Sequence, residues 1–254
     1  MYQRPYYPRA LLLLLVVPLF ALSGIGPVNS VSVASRPLAL VYRGPAGCPR
    51  CSAAVASMLE SSKWNFNVEF VGPNESLHLS AALLKTATLY AQPGGNGDLN
   101  TAYDIMRSDA PLIRDFVKSG GRYLGFCMGG YLAGATPGFK LLPGDTNEYT
   151  ISKGAIVKTT VDTTIKLSWR GQPRTVYFQD GPYFIINRHA NVTVLARYTN
   201  GLIAALVTPY GAGKVGVVGP HPEATDEWYI AHHLAVPASL NLDLAYDLVD
   251  TTMQ

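Results

Sequence analysis

Charge is scarce in this chain. Asp, Glu, Lys and Arg make up 15% of its 254 residues, the formal net charge is +3, and no two basic residues are adjacent. A basic stripe for nucleic acid is therefore excluded as an expectation, and so is a highly charged disordered chain. Cysteine is also sparse. Only Cys48, Cys51 and Cys127 occur, and no second Cys or His pair stands at finger spacing from Cys48 and Cys51. No metal site follows from that pattern, and no cofactor is implied. Long apolar runs are missing apart from one of about 13 residues, Ala10 to Leu22, which is broken by Pro18. That is short of the ~20 residues that span a bilayer.

Arg4 and Arg9 precede this run, and the small residues Ser23, Gly24 and Gly26 follow it. The order reads as a secretory signal peptide over residues 1–30, cut after Ser23, Ser30 or Ala34. An uncleaved signal anchor is the alternative. Once cleaved, the chain keeps no membrane span. The sequons at Asn74 and Asn191 fit a glycosylated, extracellular protein. In an oxidising compartment Cys48 and Cys51 can pair and leave Cys127 as the odd thiol. Free thiols and a redox dithiol are the other readings of Cys48-Pro-Arg-Cys51.

Apolar residues are abundant, at 48%, with 24 glycines and 18 prolines. This suits one compact, loop-rich domain over residues 36–250. A short apolar run at 37–42 reads as a buried parallel strand, and 66–71, 87–90 and 123–126 read as the second, third and fourth strands. Helical spacing lies between them, over 52–60, over 79–84 and over 100–118, with a break near Pro111. Alternating units of this kind imply a flavodoxin-like, doubly wound, mostly parallel sheet. Residues 155–161, 164–169, 175–178, 183–186, 192–198 and 202–208 read instead as an antiparallel β insertion. A strand at 214–218 and a terminal helix over 226–234 complete the order.

Ligands of such sheets bind at the carboxyl ends of strands. One such end is Gly125-Phe126-Cys127-Met128-Gly129. A nucleophile between small residues, after a strand and before a helix, forms an elbow. The turn lifts the sulfur above the sheet, and the helix N-terminus favours thiolate. The Met128 amide can face a developing oxyanion, with a second amide from Gly94 or Gly95. Another strand end carries His221-Pro222-Glu223. There His221 can move the proton and Glu223 can hold its other ring nitrogen. Arg43 is placed either to bind a substrate carboxylate or to pair with an acid. Asp180, in Asp180-Gly181-Pro182, either reaches the site from the insertion or closes a turn. Tyr177, Phe178, Tyr183 and Phe184 read as core.

These residues resemble the class I glutamine amidotransferase superfamily, with its G-x-C-x-G elbow and terminal H-P-E. Val41-Tyr42-Arg43-Gly44-Pro45, Pro93-Gly94-Gly95 with Asp98, and the run Gly120 to Tyr131 are more narrowly similar to the N-terminal domain of fungal biotin–protein ligases and its stand-alone relatives. The resemblance implies Cys127, His221 and Glu223 as a triad. It also implies a cysteine hydrolase or amidase acting on a small amide or γ-glutamyl-type substrate. A catalytically silent binding or sensing module is the competing expectation. The elbow of glutamine-using members continues C-x-G-x-Q, and Tyr131 takes that glutamine's place, so glutamine itself is not the expected substrate. The expected partner is a small molecule. Oligomeric state is not legible.

Overall fold

The computed structural model describes residues 1–3, 35–95 and 97–254; beyond Gln3, the expected leader lies outside the described residues. The elements run in this order: β1 (Leu38–Tyr42), α1 (Pro49–Ser61), β2 (Asn67–Val71), α2 (Ala81–Leu84), β3 (Leu89–Gln92), α3 (Leu99–Met106), α4 (Ala110–Lys118), β4 (Arg122–Phe126) and α5 (Met128–Leu132). Then come β5 (Gly144–Glu148), β6 (Thr163–Trp169), β7 (Gln172–Phe178), β8 (Pro182–Ile186), β9 (Thr193–Tyr198), β10 (Ile203–Tyr210), β11 (Gly213–Val218), α6 (Asp226–Ala231) and α7 (Leu242–Met253).

The described strands join in one sheet of order β2-β1-β3-β4-β11-β10-β9-β6-β7, with β8 on β10 and β5 on β8. From β2 to β11 every pairing is parallel. From β11 outward every pairing is antiparallel. β1, β3, β4 and β11 are buried on both faces, as crossover helices require, while the edge strand β2 exposes Asn67 and Glu69. Along β1, Ala39 and Val41 enter one core layer while Leu40 and Tyr42 enter the other. That period of two divides the helices. α1 and α7 supply Val55, Leu59, Leu244 and Leu248 to the first layer; α3, α4 and α5 supply Met106, Ile113 and Leu132 to the second.

The parallel strands end together at Tyr42, Gln92, Phe126 and Val218, so the Gly/Pro loops after them share one edge. Two expectations need correction. Residues 155–161 form turns, not a strand: Ile156 and Val161 are exposed and no strand pairs with them. The chain also ends on a second helix, α7, absent from the sequence reading, and the compact unit runs from Arg36 to Gln254. Among the described residues no helix is long and apolar enough to cross a membrane.

Candidate active site

Cys127 occupies the tight turn between β4 and α5. Its backbone sits at φ 48°, ψ −104°, a region that side chains rarely adopt and that costs of order 1–3 kcal/mol. Packing holds it there. The Cys127 N–H donates to the Val218 carbonyl at 2.9 Å, and the Tyr131 N–H returns to the Cys127 carbonyl at 2.9 Å. Glycines let α5 press onto the sheet. A methyl group on Gly129 would lie 2.0 Å from the Gln92 carbonyl oxygen, and one on Gly125 would lie 2.4 Å from that of Gly129. The thiol is free and buried, and it reaches the Gln179 carbonyl at 3.4 Å.

His221 follows β11 and is pinned from the side. Its N–H donates to the Tyr177 carbonyl at 2.8 Å, and Tyr177 and Trp228 pack edge-on against its ring. Imidazole Nδ1 is 2.8 Å from Glu223 Oε1, with the two side chains 4% and 0% exposed. That bond leaves Nε2 free of Glu223, and Cys127 and His221 line the same small cavity. Burial alone would push the imidazole pKa down. The charges of Glu223 and Cys127, and hydrogen bonds to both, outweigh it and raise the pKa to about 10. The helix after Cys127 spans only five residues, so it supplies a single turn of dipole. Protonated His221 can stabilise a thiolate here, and Arg50 lines the same small cavity.

Gly94 and Gly95 flank this pair. A methyl group on Gly94 would meet His221 Cε1 at 2.8 Å, Cys51 Sγ at 3.3 Å and Cys127 Cβ at 3.7 Å. Gly95 and Cys127 line two cavities. One, of about 380 Å³, also holds Met128, Tyr131, Glu148, Gln179 and Asp180. The other, of about 150 Å³, holds Cys48, Cys51, Tyr177, His221 and His232. A larger, mostly apolar cavity of about 520 Å³ lies between Ala81 and Arg122 and does not include the cysteine.

Asp180 does reach the site. It adopts φ 50°, its carbonyl accepts from the Tyr131 hydroxyl at 3.1 Å, and its carboxylate stands near Glu148 across Thr150. Burial and the Glu148 charge lift its pKa to about 6. Arg43 does not reach the site. Its guanidinium forms a two-pronged pair with Glu75 at 2.6 and 2.7 Å and lies over the Phe70 ring. Cys48 and Cys51 are joined in a disulfide at the start of α1. Asn74 and Asn191 are exposed. Of the aromatics expected in the core, Phe178 and Phe184 are there and Tyr183 is half-buried; Tyr177 is buried but also walls the small cavity.

Sequence reasoning missed Gln179, Glu148 and the pair His232–Asp162, 3.3 Å apart. All but His232 belong to the β insertion or its turns, and no local signal marks any of them. Among the described residues, none of the lining of the cavity of about 380 Å³ is Lys, Arg or His.

Residues 38–147 match the family described as biotin-protein ligase, N terminal. The biotin–protein ligase of Schizosaccharomyces pombe is 29% identical over 167 residues, which is 56% of this chain and 26% of that protein. The match thus spans about a quarter of the relative's length. A glutamine amidotransferase from Thermotoga maritima is 15% identical with TM-score 0.59, covering 87% of this chain and 99% of its own. One from Methylobacillus flagellatus is 16% identical with TM-score 0.51, covering 86% and 90%. At such identities the likeness is one of fold. Over residues 38–147 the chain is therefore similar to the biotin-protein ligase N-terminal family, within an α/β fold like that of these glutamine amidotransferases.

Proposed function

We propose that the protein is a secreted cysteine amidase that cleaves a small amide bearing a cationic group. The observation that supports this reading is that buried Cys127 and His221 line one cavity, with Glu223 2.8 Å from the imidazole and a second cavity also reaching Cys127. Cys127 thiolate attacks the carbonyl carbon. The amides of Met128 and Gly95 receive the oxyanion. His221 Nε2 gives its proton to the leaving amine, then takes one from water, and the resulting hydroxide releases the acid from the thioester.

The lining supports the substrate class. Asp98, Glu148 and Asp180 face the cavity with no basic side chain among the described residues. Asp98 is already occupied in capping α3, where it accepts from Asn100 and Thr101, so Glu148 and Asp180 carry the recognition. An ammonium group suits them, and a carboxylate does not. Tyr131 adds to this, since its hydroxyl is turned to Asp180 and no glutamine side chain is present there. Secretion, with a leader over residues 1–30 and glycans on Asn74 and Asn191, belongs to the same proposal and rests on the sequence.

A panel of cationic, neutral and anionic amides, offered to wild type and Cys127→Ala, tests the reading. Cationic amides should be hydrolysed by wild type and not detectably by the variant. Equal behaviour on every substrate would sink it. The Tyr131 replacement also favours a second reading, a silent binding module. Iodoacetamide alkylation of Cys127 against pH separates the two. A profile near a free thiol's ~8.5 would support the silent module.

A further inference from the structure

The hydrolytic reading leaves the disulfide unused, although it lies beside the nucleophile. Cys48, Cys51, Cys127 and His221 wall the same cavity of about 150 Å³. The space beside Gly94 is shared by Cys51 Sγ, at 3.3 Å, and Cys127 Cβ, at 3.7 Å. Within the disulfide the two sulfurs differ. Cys51 is buried and faces Cys127, while Cys48 is partly exposed. Cys48 caps the thirteen-residue helix α1, and its sulfur accepts from the Cys51 N–H at 3.0 Å. A thiolate formed on Cys48 therefore has a backbone donor and the positive end of a full helix. Disulfide exchange is fastest when the leaving thiol is the better-stabilised thiolate.

We propose that the three cysteines form one thiol–disulfide exchange centre, in which Cys127 attacks Cys51 and releases Cys48. The Cys127 thiolate forms a bond to Cys51 Sγ as the Cys48–Cys51 bond breaks, and the electron pair leaves on Cys48 Sγ. His221 keeps its proton. One disulfide and one thiolate stand on each side of the step, so no outside oxidant or reductant enters. The consequence is a site with two covalent states. In one, Cys127 is a free nucleophile. In the other it is masked, and a thiolate stands at Cys48, where it can attack a low-molecular-weight disulfide and release one of its halves as a thiolate. The exchange does not depend on whether the site cleaves amides.

The test uses the full chain. Samples held from pH 6 to 9 in glutathione buffers are quenched in acid and alkylated with N-ethylmaleimide. They are then digested without reduction, and their disulfides are mapped by mass spectrometry. Wild type should contain a Cys51–Cys127 link, and the loss of label at Cys127 should equal, mole for mole, the gain at Cys48. Cys127→Ser should retain only Cys48–Cys51. Cys48→Ser, oxidised with glutathione disulfide, should join Cys51 to Cys127 within one chain. A wild type that holds only Cys48–Cys51 under every condition overturns the proposal, whatever the variants do. A Cys48–Cys127 link overturns the assignment of the attacked sulfur.

Discussion

Asp180 sits at a positive φ of 50°, close to Glu148, with a carboxyl lifted to about 6 first by burial and then by its neighbour's charge. The folded protein thus holds this proton more tightly than the unfolded chain does. Ionising it costs stability, and that cost is absent below pH ~4 and complete above about 6. Asparagine tolerates the same backbone. Asp180→Asn should therefore raise the melting temperature at pH 8, by up to roughly 2–4 °C, and leave it unchanged at pH 4. The same change removes one charge-assisted contact worth about 1.5 kcal/mol, so KM for a cationic amide should rise about tenfold. A melting temperature that falls at pH 8 would show that the carboxylate pair is not under strain. Cys127, His221 and Glu223 were legible at this scale because their types and spacing carry chemistry. Glu148 and Gln179 were not, because an acid or amide in a loop has no meaning until the fold aims it.

The elbow is a matter of elements, since its geometry depends on how closely α5 approaches β3 and β4. Gly129→Ala would place a methyl group 2.0 Å from the Gln92 carbonyl oxygen, against backbone that cannot swing aside. The helix must lift. A loss on the order of 3 kcal/mol is expected in urea unfolding, together with a shifted Cys127 alkylation rate. Unchanged stability and reactivity would mean that the approach of α5 is not needed to hold the turn. Apolar runs marked the parallel strands well, because burial on both faces leaves little room for polar residues. The same logic misread residues 155–161, where apolar side chains stand among turns with no partner strand. It also passed over α7, whose apolar face follows a proline-containing stretch that is itself mostly apolar.

At the scale of the molecule, α7 ties the parallel and antiparallel halves together. Leu244, Ala245, Leu248 and Val249 are buried against the sheet. Asp247 receives the Trp169 indole at 2.7 Å and pairs with Arg170; Asp243 pairs with Arg174; Asp250 receives the Trp64 indole at 3.0 Å. Burying the three larger aliphatic residues contributes on the order of 5 kcal/mol, comparable with the whole stability of many domains. A chain ending at Asn241 should aggregate or stay unfolded by circular dichroism and gel filtration. A soluble monomer with the full spectrum would refute that role.

Local chemistry was written in the order of residues. Strand and helix periods, the small residues around Cys127 and the His-Pro-Glu after an apolar strand all act over short distances, so the linear chain displays them. Other features arise between segments far apart in the chain. They are the pairing of Arg43 with Glu75, the acidic wall of Glu148 and Asp180, and the disulfide set against the nucleophile. Each depends on strand order and on the crossing of loops at the sheet's carboxyl edge, and those follow from burying two core layers at once. Cys127 stood out in the sequence as a candidate nucleophile; folding alone set it in one cavity with His221 and Cys51.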